Sequence, residues 1–136
     1  MPMKNETKMP EESIKKQKLL TMVGFAMRAG KLVCGTDHIC DEIRRHGYPA
    51  TGEPNLPVPL GVVLLAADAS ENTKKRITNA CSYYRIPLIR TTISSEQLAE
   101  RIGKAATAAC ATFDRGFVDG IRKAEGLISD KKRRRS

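Results

Sequence analysis

Apolar residues recur every three or four positions in five stretches of the chain and gather into short unbroken runs in four others. These are the marks of amphipathic helices and buried strands. Ser13 opens the first predicted helix, residues 13–29, with Leu19, Leu20, Val23 and Met27 inward. Gly24 weakens that helix by about 1 kcal/mol relative to alanine unless another element packs closely against it. A strand stub at 32–34 follows, then a helix from 36 or 37 to 45 with Ile39 and Ile43 inward and Gly47 as its stop. Residues 46–59 hold four of the seven prolines, which predicts a long surface loop.

The run GVVLLAA at 61–67 reads as a central strand covered on both faces. Ser70 then caps a helix reaching Arg85, in which Ile77, Ala80, Cys81 and Tyr84 repeat on one side. Pro87 leads into a short strand at 88–90, and Ser94 with Gln97 forms a capping-box pattern that opens a helix with Leu98 and Ile102 inward and Gly103 at its end. A last strand at 108–113 precedes a helix capped by Asp114 and carrying Phe117, Val118 and Ile121. Helix and strand alternate throughout, so the class is α/β, with helices on both faces of a small sheet. The organisation expected is a polar, disordered arm at 1–12, one domain at 13–126 and a basic tail at 127–136.

The stretch GFAMRAGKLVCGTD at 24–37 compresses a helix end, a glycine stop at Gly30, a three-residue apolar run and the turn Gly35-Thr36-Asp37 into a new helix. Such a junction leaves backbone N–H groups free at the second helix's start, and basic Arg28 and Lys31 are near in sequence. Together they can hold a phosphate.

Charge strengthens this reading. The 136 residues carry a formal net charge of +9, of which the run KKRRR at 131–135 supplies five. The central part is mildly basic and the ends strongly so, which points to a polyanionic partner with the tail adding salt-sensitive, sequence-independent attraction. Six aromatic residues and no tryptophan argue against a surface that binds single strands by repeated stacking. Cys34, Cys40, Cys81 and Cys110 show neither a CxxC pair nor zinc-site spacing and read as buried, reduced thiols. With neither a signal-peptide core nor a membrane-length apolar run, the expectation is a soluble cytoplasmic protein.

Enzyme chemistry finds no constellation. His38 and His46 have no nucleophile assignable to them by spacing, and Asp68, after the central strand, reads as a helix-start residue without chemistry. No Walker loop, GxGxxG or metal-ligand pattern calls for a cofactor. The triplet Lys74-Lys75-Arg76 reads first as a solvated helix face.

Taken in order, RAGKLVCG at 28–35, VLLAADASENTKK at 63–75, YYRIP at 83–87, Leu98 with IGK at 102–104, and DRGF at 114–117 resemble the kink-turn RNA-binding ribosomal protein superfamily (L-seven-Ae type), and its bacterial YlxQ-like branch in particular. The resemblance covers about residues 18–122. It implies a three-layer α/β/α sandwich with a small mixed, mainly four-stranded sheet, no catalytic activity, no cofactor, and a structured or sharply bent RNA as partner, ribosomal or other. It places RNA contact at 30–38 with the helix that follows, and at the 103–108 loop. On this chain that nominates Gly35, Thr36, Asp37 and His38, with Ala105 and Ala106 in the second loop, while Arg28, Lys31, Lys104 and Lys74 meet phosphates. Lys31, Gly35 and Thr36 match the family pattern directly. Archaeal and eukaryotic members carry Gly-x-Asn-Glu followed after two residues by Lys; here Asp37, His38 and Asp41 stand at those places, and Asp41 sets a negative charge where a phosphate is expected. The alternative the departures favour is a scaffold that keeps the fold and docks on ribosome or transcription machinery through protein contacts.

Overall fold

The computed structural model describes residues 11–47, 59–103 and 107–125. The expected arm up to residue 10, most of the proline-rich loop, and the basic tail lie outside the described residues. In chain order the elements are α1 (Glu11–Arg28), β1 (Val33–Cys34), α2 (Thr36–His46), β2 (Val62–Leu65), α3 (Glu71–Tyr84), β3 (Leu88–Arg90), α4 (Ser95–Ile102), β4 (Ala109–Thr112) and α5 (Arg115–Glu125). The strands form one mixed sheet in the order β1-β4-β2-β3. β4 runs antiparallel to β1 and β2, with Cys34 opposite Cys110 and Leu65 opposite Ala109, while β2 and β3 are parallel with Leu64 opposite Ile89.

The period-two alternation of β2 divides the core. Val62 and Leu64 point to one face, where they meet Leu19, Leu20 and Val23 of α1, Leu98 of α4, and Val118 and Ile121 of α5. Val63 and Leu65 point to the other, against Ile39 and Ile43 of α2 and Ile77 and Cys81 of α3. All four β2 residues are buried, which is why the run reads as apolar without interruption. The result is a three-layer α/β/α sandwich with β2 inside the sheet, the architecture that the resemblance implied.

Local chemistry explains most element boundaries. Ser70 Oγ accepts from the Thr73 N–H at 3.2 Å, and Ser94 with Gln97 completes a reciprocal capping box. Gly24 is tolerated because the Arg101 side chain of α4 packs onto it, its Cδ lying 3.1 Å from where a Cβ would stand. One boundary differs from expectation: α1 is already helical at Glu11, so Ser13 lies inside the first described turn instead of capping it. Serine costs a helix interior only a few tenths of a kcal/mol, too little to stop it there.

Strand directions position everything that follows. β1, β2 and β3 run the same way and β4 runs against them, so the segments leaving the first three strands and the segment entering β4 share one edge of the sheet, the upper edge. α2 and α3 lie side by side in the same sense, with Asp37 bonded to Arg76 near their starts and Gly47 pressed against Tyr84 at their ends. Both N-termini therefore open at the upper edge.

Candidate nucleic-acid interface

Gly35 joins β1 to α2 with φ 93° and ψ 133°, a conformation that side-chain-bearing residues avoid. It is the N-cap of α2 and gives no side-chain cap hydrogen bond; its carbonyl accepts from the Ile39 N–H at 2.9 Å. The amides of Thr36, Asp37 and His38 have no intrahelical acceptor and sit at the positive end of the helix dipole. Among the described residues a Cβ on Gly35 would meet nothing within 4 Å, so an incoming group can approach the backbone closely.

Asp37 is committed to its neighbour. Its Oδ1 accepts from Arg76 Nη2 at 2.7 Å, pinning the start of α2 to α3, and this bond holds the Arg76 guanidinium above its ordinary pKa. Sequence reasoning nominated Lys74 from the basic triplet and missed Arg76. Arg76 immediately precedes the buried Ile77, a phase that turns it toward α2, whereas Lys74 turns to Glu71 at 3.7 Å. The acids of α2 likewise have partners at short range. Asp41 pairs with Arg44, and Glu42 with Arg45 at 3.6 Å and His46 at 3.2 Å. His38 is exposed and borders a cleft of about 420 Å³ with Cys34, Asp41 and Arg45.

The nominated residues do not form one cluster. Lys31 stands before β1 and Gly35 after it, and the Lys31 carbonyl accepts from Thr112 Oγ1 at 2.8 Å, at the lower edge where β4 ends. At about 3.3 Å per strand residue, roughly 13 Å of backbone separates them. Arg28, exposed beside the Phe25 ring at 5.7 Å, belongs with Lys31. The segment entering β4 lies at the upper edge: the Ala108 carbonyl accepts from the Ala66 N–H at 2.8 Å, and the Thr107 hydroxyl is buried without a hydrogen-bond partner among the described residues. Gly103 ends α4 with φ 86°, and a Cβ there would meet nothing within 4 Å among the described residues. Lys104, Ala105 and Ala106 lie outside the described residues.

Two other sequence readings change in detail. Asp68 does serve a helix start, but that of α4: its carboxylate accepts from the Ser95 N–H at 2.8 Å and the Ser95 hydroxyl at 3.1 Å, and the backbone hydrogen bond chiefly holds it below the usual carboxylate range. Of the cysteines, Cys40, Cys81 and Cys110 are buried, while Cys34 is half-exposed. Burial pushes the Cys81 thiol up to about 12. Among the described residues, no group of three or more potential ligands is arranged for a metal ion, and no helix is long and apolar enough to cross a membrane.

The Ribosomal protein L7Ae/L30e/S12e/Gadd45 family model matches residues 58–120. The chain is 37% identical over 100 residues to the RNA-binding protein YlxQ of Bacillus subtilis (strain 168), covering 74% of this chain and 87% of that protein. It is 35% identical over 89 residues to the RNA-binding protein YlxQ of Enterococcus faecium, covering 65% and 74%. Among solved structures, a protein with unknown function from Bacillus halodurans C matches with a TM-score of 0.62 at 23% identity, over 78% of this chain and 94% of that one. The Giardia lamblia 15.5kD RNA binding protein matches with a TM-score of 0.59 at 17% identity, over 84% and 90%. At those identities the two structures speak for the fold alone.

Proposed function

The chain belongs to the ribosomal protein L7Ae/L30e/S12e/Gadd45 family, and from that premise we propose that it is a non-enzymatic RNA-binding protein that seats a bent, structured RNA on the upper edge of its sheet. The observation that carries the reading is the uncapped start of α2 at Gly35, facing the same edge as the segment entering β4. The free amides of Thr36, Asp37 and His38 supply donors to a phosphate at the bend, and the open space beside Gly35 admits the RNA backbone. Arg76 and Lys74, paired to Asp37 and Glu71, offset the acids at that edge. Lys31 and Arg28, about a strand's length below, meet a different part of the backbone, and Lys104 contributes from the second loop. The names of the Bacillus and Enterococcus relatives support RNA as the ligand, ribosomal or other.

The intramolecular pairing of Asp37 and Asp41 bears on specificity. Arg76 and Arg44 offset their charges, which lessens the repulsion that two bare carboxylates exert on a phosphate. The full chain and a version ending at residue 130, titrated with a kink-turn RNA and a straight duplex of equal length over a range of salt, test the proposal. Both proteins are expected to prefer the bent RNA, with the shorter one binding more weakly and with a smaller salt slope. Equal binding to both RNAs by the shorter protein contradicts the assignment of specificity to the folded domain.

A further inference from the structure

α1 carries apolar residues on two opposite sides. Leu19, Leu20, Val23 and Ala26 are buried against the sheet, whereas Ile14 and Phe25 are 40% and 49% exposed, two of the three exposed large hydrophobics among the described residues. Ile14, Lys18, Thr21, Phe25 and Arg28 follow a 4-3-4-3 spacing, which puts all five in one stripe along the helix. α1 is the least amphipathic of the five helices.

Beside the stripe, α1 and α5 enclose a groove of about 660 Å³. Ile14, Met22 and Ala124 give it apolar walls, and Gly120 keeps the wall low enough for Met22 to lean over it. Lys18 stands on one rim and Lys123 on the other, and no carboxylate lines it among the described residues. The groove belongs to the layer opposite α2 and α3, so its occupation does not depend on the RNA reading.

We infer that this groove docks an acidic amphipathic helix of a partner protein. Large apolar side chains at i, i+3 or i+4 and i+7 would meet Ile14, Met22 and Phe25, and carboxylates on the flanks would sit between Lys18 and Lys123. The span from Ile14 to Phe25 is about 16 Å at 1.5 Å per residue, three turns of helix. An apolar floor with a cationic rim fits that ligand better than RNA, whose backbone offers nothing to Ile14 or Met22.

The test uses the isotope-labelled full chain and a synthetic helical peptide of about four turns, with leucine along one side and glutamate elsewhere. Binding is expected to shift the amide signals of Gln17, Thr21 and Gly120. The Lys18→Glu/Lys123→Glu variant is expected to weaken binding at least about tenfold, and lysine-for-glutamate peptides should restore it, since both altered side chains lie on the rim. Ile14→Asp should weaken either peptide. Equal binding of a scrambled peptide, failure of the charge exchange to restore affinity, or shifts confined to other surfaces overturns the inference. So does a change of the groove signals when residues 126–136 are removed without peptide, which assigns the groove to the chain's own tail. Displacement of the peptide by anionic vesicles with matching groove shifts assigns it to a membrane surface instead.

Discussion

Three helices follow directly on strands that end at the upper edge of the sheet, and they begin differently. α3 and α4 start from serines in ordinary extended geometry, φ −65° at Ser70 and −80° at Ser94, whose hydroxyls accept from first-turn amides. Asp68 adds a carboxylate to the α4 start. α2 starts from Gly35 at φ 93° with no cap. Capping is worth about 1 kcal/mol, so two helix starts are made stable and the third leaves its donors available. The backbone conformation itself excludes a capping side chain at Gly35, because serine or aspartate there is strained. Availability of the α2 amides is thus built into the chain path.

The largest effect should come from removing one of those amides. Thr36→Pro deletes a single N–H at the first helical position, where proline is tolerated and the donor has no helix partner, and the ψ of 133° at Gly35 suits a following proline. A charge-assisted hydrogen bond is worth about 1.5–3 kcal/mol. Affinity for bent RNA should therefore fall roughly 10- to 100-fold, with the melting temperature unchanged and Thr36→Ala as control for the lost side chain. The converse substitution lies at the capped start of α4. Ser94→Ala should cost about 1 kcal/mol of stability and lower the melting temperature by roughly 2–8 °C, with RNA affinity unaltered.

Smaller effects sharpen the contrast. Asp37→Asn removes a negative charge beside the proposed phosphate and frees Arg76, so RNA affinity should rise a few-fold while thermal stability drops slightly, as for an exposed ion pair. Asp68 provides a pH signature. Its carboxyl is held below the usual carboxylate range, chiefly by the Ser95 N–H, so its contribution to stability is present above that range and is lost as pH falls through the folded value. A melting series from pH 6 downward should show acid destabilisation that is shallower in Asp68→Asn; identical acid limbs would exclude this role.

What could be read in advance divides along the same line. The four strands, the central place of β2 and the capping box at Ser94 were legible because each is written in consecutive residues, as an unbroken apolar run or a residue pair three apart. The start of α2 was legible for the same reason. Contacts between distant segments were not. Asp68 reaches a helix 27 residues on, and Asp37 finds Arg76 across 39. Lys31 and Gly35 mislead in the other direction: neighbours in sequence, they are separated by β1 and belong to opposite edges. The outer stripe of α1 is hidden because its apolar residues share a helix with the core-facing ones, so the sequence shows one apolar helix where the structure shows two faces.

One amide-resolved titration compares the three helix starts in a single experiment. When a kink-turn RNA is added to the isotope-labelled full chain, the largest shifts should fall on Thr36, Asp37 and His38, with Glu71 to Thr73 and Ser95 to Gln97 little moved. Shifts of equal size at the serine-capped starts, or none at Thr36 to His38 while the RNA binds, would show that the open helix start is not what holds the RNA.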